Sequence, residues 1–159
     1  MSTDRRLLMF GGITLAIIGM AYGVHYAVFV EHQTLGEMGG SLVGAFANAA
    51  ERNWPASEHS LVRYGNVKYK YVRQVDVHSH WIGLAMLLIV LGTVFDELRF
   101  SERARLSLAC ALLVGSIIFP LGVMLQTFDM QRTGSALAIA GSGFVIVALA
   151  ATAAGFARQ

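Results

Sequence analysis

Leu7 to Val30 reads LLMFGGITLAIIGMAYGVHYAVFV, twenty-four residues without one Asp, Glu, Lys or Arg. At about 1.5 Å of rise per residue, such a run as a helix crosses a hydrocarbon layer about 30 Å thick. Three more charge-free runs follow, from Val77 to Phe95, from Leu106 to Phe128 and from Thr133 to Ala157. The whole chain of 159 residues is 55% hydrophobic and 14% charged, with a mean hydropathy of +0.58. Soluble domains carry about 25% charged residues. The pattern predicts an all-α integral membrane protein, one four-helix transmembrane domain over residues 1–159. Its helices are expected at about 7–30, 78–95, 106–128 and 135–156. The run at 7–30 exceeds the length of a signal-peptide core and no small-x-small site follows it closely, so it reads as a retained helix.

Charge outside the runs sets the expected orientation. Arg5 and Arg6 precede the first helix, and Arg99, Arg103 and Arg105 fill the connection between the second and third. The positive-inside rule places these arginines, and both termini, in the cytoplasm, most simply in a bacterial inner membrane. The long segment 31–77 is then extracytoplasmic. Within it Leu35, Met38, Leu42, Phe46 and Ala49 recur at helical spacing, which predicts an amphipathic helix over Thr34–Arg52 lying on the membrane and ended by Trp54-Pro55. Val62 to Tyr71 alternates around Gly65-Asn66 and reads as a β-hairpin. Pro120 should kink the third helix. Gly19 and Gly23 on the first helix and Gly141-Ser142-Gly143 on the fourth suit either tight helix contact or room for a flat cofactor. The net charge of +2 gives no reason to expect nucleic acid, and Cys110 is the lone cysteine, so no intrachain disulfide is possible.

All five histidines, His25, His32, His59, His78 and His80, fall on the outer side of this topology. His25 stands out, because it lies inside an apolar run where an ionisable group is costly and marks a functional hypothesis. His78 and His80 are separated by one residue, so a regular helix turns them about 200° apart. A b-type haem needs one imidazole from each of two facing helices at equal depth, with small residues beside the ring. His25 meets that need from the first helix and His78 or His80 from the second, with His80 preferred, while Gly23 and Gly83 would leave room for the ring. Arg63, Lys68, Lys70 and Arg73 would then pair with the propionates. The alternative is a copper ion held by His25, His78, His80 and His32, with Met124 and Met130 at the same level. No zinc-hydrolase motif or cysteine pair is present.

The stretch Val77-His78-Ser79-His80-Trp81-Ile82-Gly83-Leu84-Ala85 resembles helix starts in small haem-binding membrane proteins related to haem-copper oxidases and nitric oxide reductases. That resemblance implies His78 or His80 as a haem ligand. Three functions are therefore expected in turn. The first is electron transfer at the outer face through a histidine-ligated haem, with a quinol or periplasmic partner. The second is copper binding. The third is a non-catalytic subunit of a larger membrane complex or homo-oligomer. The absence of Asp, Glu, Lys and Arg from all four runs argues against an ion transporter.

Overall fold

The computed structural model describes residues 2–128 and 130–157. Among them every element is helical: α1 (Thr3–His25), a π turn (Tyr26–Val30), α2 (Glu31–Ala50), α3 (Trp54–Val94), α4 (Glu102–Leu125) and α5 (Gln131–Ala157), with 3-10 turns at Phe95–Glu97 and Gln126–Phe128. Four continuous helical rods result, each long and apolar enough to cross a membrane: Thr3–Ala50, Trp54–Glu97, Glu102–Phe128 and Gln131–Ala157.

The local chemistry explains the ends. The Ser2 hydroxyl caps α1 by accepting from the Arg5 N–H, and Asp4 sits in the first turn, where the helix dipole favours a carboxylate. Ser101 caps α4 in the same way, accepting from the Ala104 N–H at 3.3 Å. Between α2 and α3 the chain reverses in Glu51-Arg52-Asn53, with Arg52 in the left-handed region at φ 57°. The Asn53 side chain then accepts from the Ala56 N–H at 3.3 Å, and Pro55 occupies the first turn, where its missing N–H costs nothing.

These ends correct several expectations. Trp54-Pro55 opens α3 and does not merely close α2. The β-hairpin around Gly65-Asn66 is absent; Gly65 is an ordinary helical residue, since no glycine among the described residues has positive φ. The alternation of Tyr, Val and Lys there is overridden by a strong cap at Asn53 and by packing against α2. The segment 31–77 is therefore no loose connection. It is the upper part of two long rods, joined through a three-residue turn. The helix expected at 78–95 is the last stretch of the 41-residue α3. The helix expected over 34–52 does form, but it continues α1 and packs along α3 as an antiparallel hairpin. At about 1.5 Å per residue, the 48-residue first rod is roughly 72 Å long, more than twice a hydrocarbon layer. Charge is absent from residues 7–30 and 77–95 and frequent between Glu31 and Asp76, so the bundle carries the charge-free stretches and the hairpin the charged ones.

Within the bundle, backbones meet directly. A methyl group on Gly115 would lie 2.9 Å from the Gly141 carbonyl oxygen, and one on Gly134 would lie 2.6 Å from that of Gly122. This is the close approach of α4 and α5 that small residues permit where lipid supplies no hydrophobic drive. Gly12 makes the corresponding contact of α1 with α3, 2.9 Å from the Ala85 carbonyl oxygen. Leu8, Leu15, Val77, Ala85, Leu88, Phe95 and Leu112 fill the remaining core. α4 runs unbroken through the buried Pro120. At the terminal end, buried Asp4 pairs with Arg105 at 3.2 Å, and Arg105 also donates to the Asp96 backbone carbonyl at 3.0 Å. Arg5 and the Ser2 hydroxyl engage the Asp96 carboxylate. That hydroxyl, followed by Arg5, holds the Asp96 carboxyl below its ordinary range.

Candidate functional site

His25, His32, His78 and His80 lie around the junction between bundle and hairpin, on different faces, and His59 lies farther up the hairpin near the start of α3. His25 ends α1 and is exposed, its ring tilted on Phe29 with centroids 5.5 Å apart. His32 is exposed about two turns above it. His78 turns toward α1. Its Nδ1–H donates to the Gly19 carbonyl at 2.9 Å, and its imidazole occupies the space left by the missing side chain of Gly23. Gly19 itself is buried against Trp81 and Ile82. Gly19 and Gly23 therefore serve helix contact. His80 turns toward α4, edge-on to Phe119 at 4.6 Å, with Nδ1 bonded to the Asp76 carbonyl one turn back. The buried Trp81 stands between these two faces and packs edge-on to Tyr22.

A carbonyl only accepts, so the Nδ1 of both His78 and His80 is the donor, and in a neutral imidazole Nε2 is then the nitrogen with the lone pair. That is the tautomer in which a histidine ligates through Nε2 while its other nitrogen is oriented by a backbone group. The rest of a bis-histidine slot is missing. His78 and His80 face different helices, His25 points outward, and Gly83 is exposed with nothing within 4 Å of an added methyl. Among the described residues no three His, Cys, Asp or Glu side chains converge as a metal site would need. The residues of one chain thus offer single ligands and do not fit a haem held from both sides. Met124 is half-buried and Met130 exposed. The cations expected around propionates are engaged along the hairpin. Arg63 donates twice to Glu37, at 2.9 and 3.1 Å. Arg73 pairs with Asp76 at 3.4 Å and lies over the Tyr69 ring, Lys68 lies over the Tyr64 ring, and Lys70 lines a groove between α2 and α3.

That groove divides the hairpin into two unlike sides. It encloses about 470 Å³ between Thr34 and Glu37 on α2 and His59, Arg63, Asn66, Lys70 and Gln74 on α3. The recess of similar volume in the bundle, between Leu15, Ile18, Trp81, Leu113 and Ile117, is apolar. Neither recess is lined by His25, His78 or His80. Ser57 fastens the hairpin by donating to the Ala45 carbonyl at 2.9 Å. Away from the groove, Phe46 is 70%, Val43 68% and Trp54 65% exposed, and Leu35, Leu61 and Val72 are exposed as well. The spacing of Leu35, Leu42 and Phe46 already marked one apolar face on α2. Its partner on α3, Trp54, Leu61 and Val72, was hidden because Trp54 read as the end of the α2 helix and Val62 to Tyr71, between Leu61 and Val72, as a hairpin.

Comparison with known proteins finds no matching family model, no matching curated protein and no matching solved structure.

Proposed function

We propose that this chain is a non-catalytic subunit of a membrane assembly, anchored by four helices and presenting a rigid helical hairpin to its partner outside the bilayer. The exposed apolar side of that hairpin carries the reading. Apolar side chains on the bundle surface are covered by lipid, but those between Leu35 and Val72 stand on the projecting part of the rods. Contiguous apolar patches in water mark interaction sites. The orientation goes with it: both termini cytoplasmic, the hairpin periplasmic in a bacterial inner membrane. Cysteines placed at exposed Ala47 and exposed Ser101 in a Cys110→Ala background should respectively react and fail to react with an impermeant maleimide added to whole cells. The decisive measurement is the protein mass of the particle extracted in mild detergent. It should exceed the 17.2 kDa of one chain and fall to that value when Phe46 and Leu61 are both replaced by Asp. A particle of one chain in the unaltered protein would overturn the proposal.

A second reading, histidine-held haem b or copper with an electron-transfer role, is favoured by one observation, the Nδ1–H tautomers of His78 and His80 with their uncommitted Nε2 atoms. A bound haem would supply one-electron chemistry with a quinol or periplasmic partner. Its second axial ligand would have to come from elsewhere in the assembly. An absorption spectrum of the extracted particle tests it: a Soret band lost in His78→Ala or His80→Ala supports it, and a colourless, copper-free particle removes it.

A further inference from the structure

We infer that the partner seated on the apolar side of the hairpin is a second copy of this chain, so that α2 and α3 of two protomers close into an extramembrane four-helix bundle. The inference rests on the subunit reading above and names the partner.

The geometry starts from the contacts inside one hairpin. Ser41 and Ala45 are the buried residues of α2 and face α3. Counting about 100° per residue from Ser41, Glu37 and Gly40 fall on the side of the polar groove. Met38, Leu42, Leu35 and Phe46 fall about 60–140° to the other side. On α3, counting from Ser60, His59, Arg63, Asn66 and Lys70 fall on the groove side and Trp54, Leu61, Gly65 and Val72 on the opposite one. The two apolar stripes therefore share one face of the hairpin. From Leu35 to Ala49 the α2 stripe contains no charged residue, and Glu31 stands on it one turn below Leu35; Glu58 and Lys68 border the α3 stripe.

The face is also built for close approach. The Ser57 to Ala45 bond and the Arg63–Glu37 pair fix the register of the hairpin, which sets Leu42 near the level of Leu61 and Gly39 near the level of Gly65. A methyl added to Gly39 or to Gly65 would meet nothing within 4 Å. The apolar face thus has a glycine waist with Leu42, Phe46, Leu61 and Trp54 above it and Leu35 and Val72 below. Two copies inserted in one membrane share an orientation, so the twofold axis relating them must run along the membrane normal. That axis brings equal heights together: waist meets waist, and the leucines of α2 meet those of the partner's α3. A face of about 17 residues per helix and two helices wide measures roughly 25 by 20 Å. Paired, it buries on the order of 1,000 Å², the lower bound for a specific interface.

The test is disulfide capture of the full chain in its own membranes. In a Cys110→Ala background, Gly39→Cys combined with Gly65→Cys sets each thiol opposite the other thiol of the partner across the waist, whereas Gly39→Cys combined with Asn66→Cys turns the second thiol into the polar groove; all three positions are exposed. With a mild oxidant, the Gly39/Gly65 pair should give a product of about 34 kDa, twice the chain mass, at least tenfold more abundantly than the Gly39/Asn66 pair. Adding Phe46→Asp, or the milder Phe46→Ser, should reduce that product at least fivefold. Equal capture by the two pairs would overturn the inference. Capture of the Gly39/Gly65 pair in a product of any other mass would overturn it too, while leaving the subunit reading in place. A single-chain particle with no capture would remove both.

Discussion

Gly141 and Gly143 lie two residues apart on α5 and should respond oppositely to the same methyl group. A Cβ on Gly141 would stand 2.8 Å from Phe119 Cα and 3.0 Å from the Ile118 carbonyl carbon, both backbone atoms of α4 that no rotamer change can clear. Carbon atoms rest about 3.5–4.0 Å apart, so α4 and α5 must separate by about 1 Å near that point. Such overpacking costs about 1–3 kcal/mol, against which the better helix propensity of Ala returns at most about 1 kcal/mol. Gly143 has nothing within 4 Å of its added methyl, so Gly143→Ala keeps the propensity gain alone. The propensity gain is common to both, so the two variants should differ by the overpacking cost, about 1–3 kcal/mol, roughly 5- to 160-fold in the unfolding equilibrium. Helix content followed by circular dichroism while sodium dodecyl sulfate is titrated into mixed micelles reads the difference. If Gly141→Ala proves as resistant as Gly143→Ala, the backbone contact between α4 and α5 does not hold these helices together, and Gly141 leaves room for something else.

Asp4→Ala should destabilise the bundle by about 3 kcal/mol in the same titration, because it strands the half-buried Arg105 guanidinium, and Asp4→Ala with Arg105→Leu should recover part of that loss. Asp96, whose carboxyl is held low chiefly by the Ser2 hydroxyl, contributes stability that is complete above the ordinary carboxylate pKa and fades as pH falls through the lowered value. Ser2→Ala should therefore move the acid limb of the stability profile upward in pH, and an unchanged limb would remove Ser2 as the cause. Asn53→Ala should cost about 1 kcal/mol by removing the cap of α3, seen as faster amide exchange over residues 54–57 with no change in α4.

The four apolar helices were legible in the sequence because each charge-free run matches the thickness of a bilayer, and nothing else in a short chain produces four of them. The hairpin was not, since its turn carries no Gly, and the strongest turn signal, Gly65-Asn66, lies in the interior of α3. Asn53-Trp54-Pro55 does carry a helix start, a capping side chain followed by proline in the first turn, but Trp and Pro at a membrane surface also suit an interfacial stop. The histidines were legible as a group toward one end of the four apolar runs. Which way each faces was not, because the π turn shifts the register of everything after His25 and the 200° between His78 and His80 leaves open which neighbours they meet.

That π turn makes the first rod tolerant of length change at one place only. A π turn is an α turn with one surplus residue, so removing a single residue from Tyr26–Val30 would restore regular helix while leaving residues 31–50 in their angular phase relative to residues 3–25. The same deletion anywhere else in α1 or α2 rotates all that follows by about 100°. Beyond it, Leu42 and Phe46 would swing against α3 and Ser41 and Ala45 out of the seam. Lineages carrying this hairpin should therefore differ in length by one residue at 26–30 and hold the rest of the rod to a fixed count.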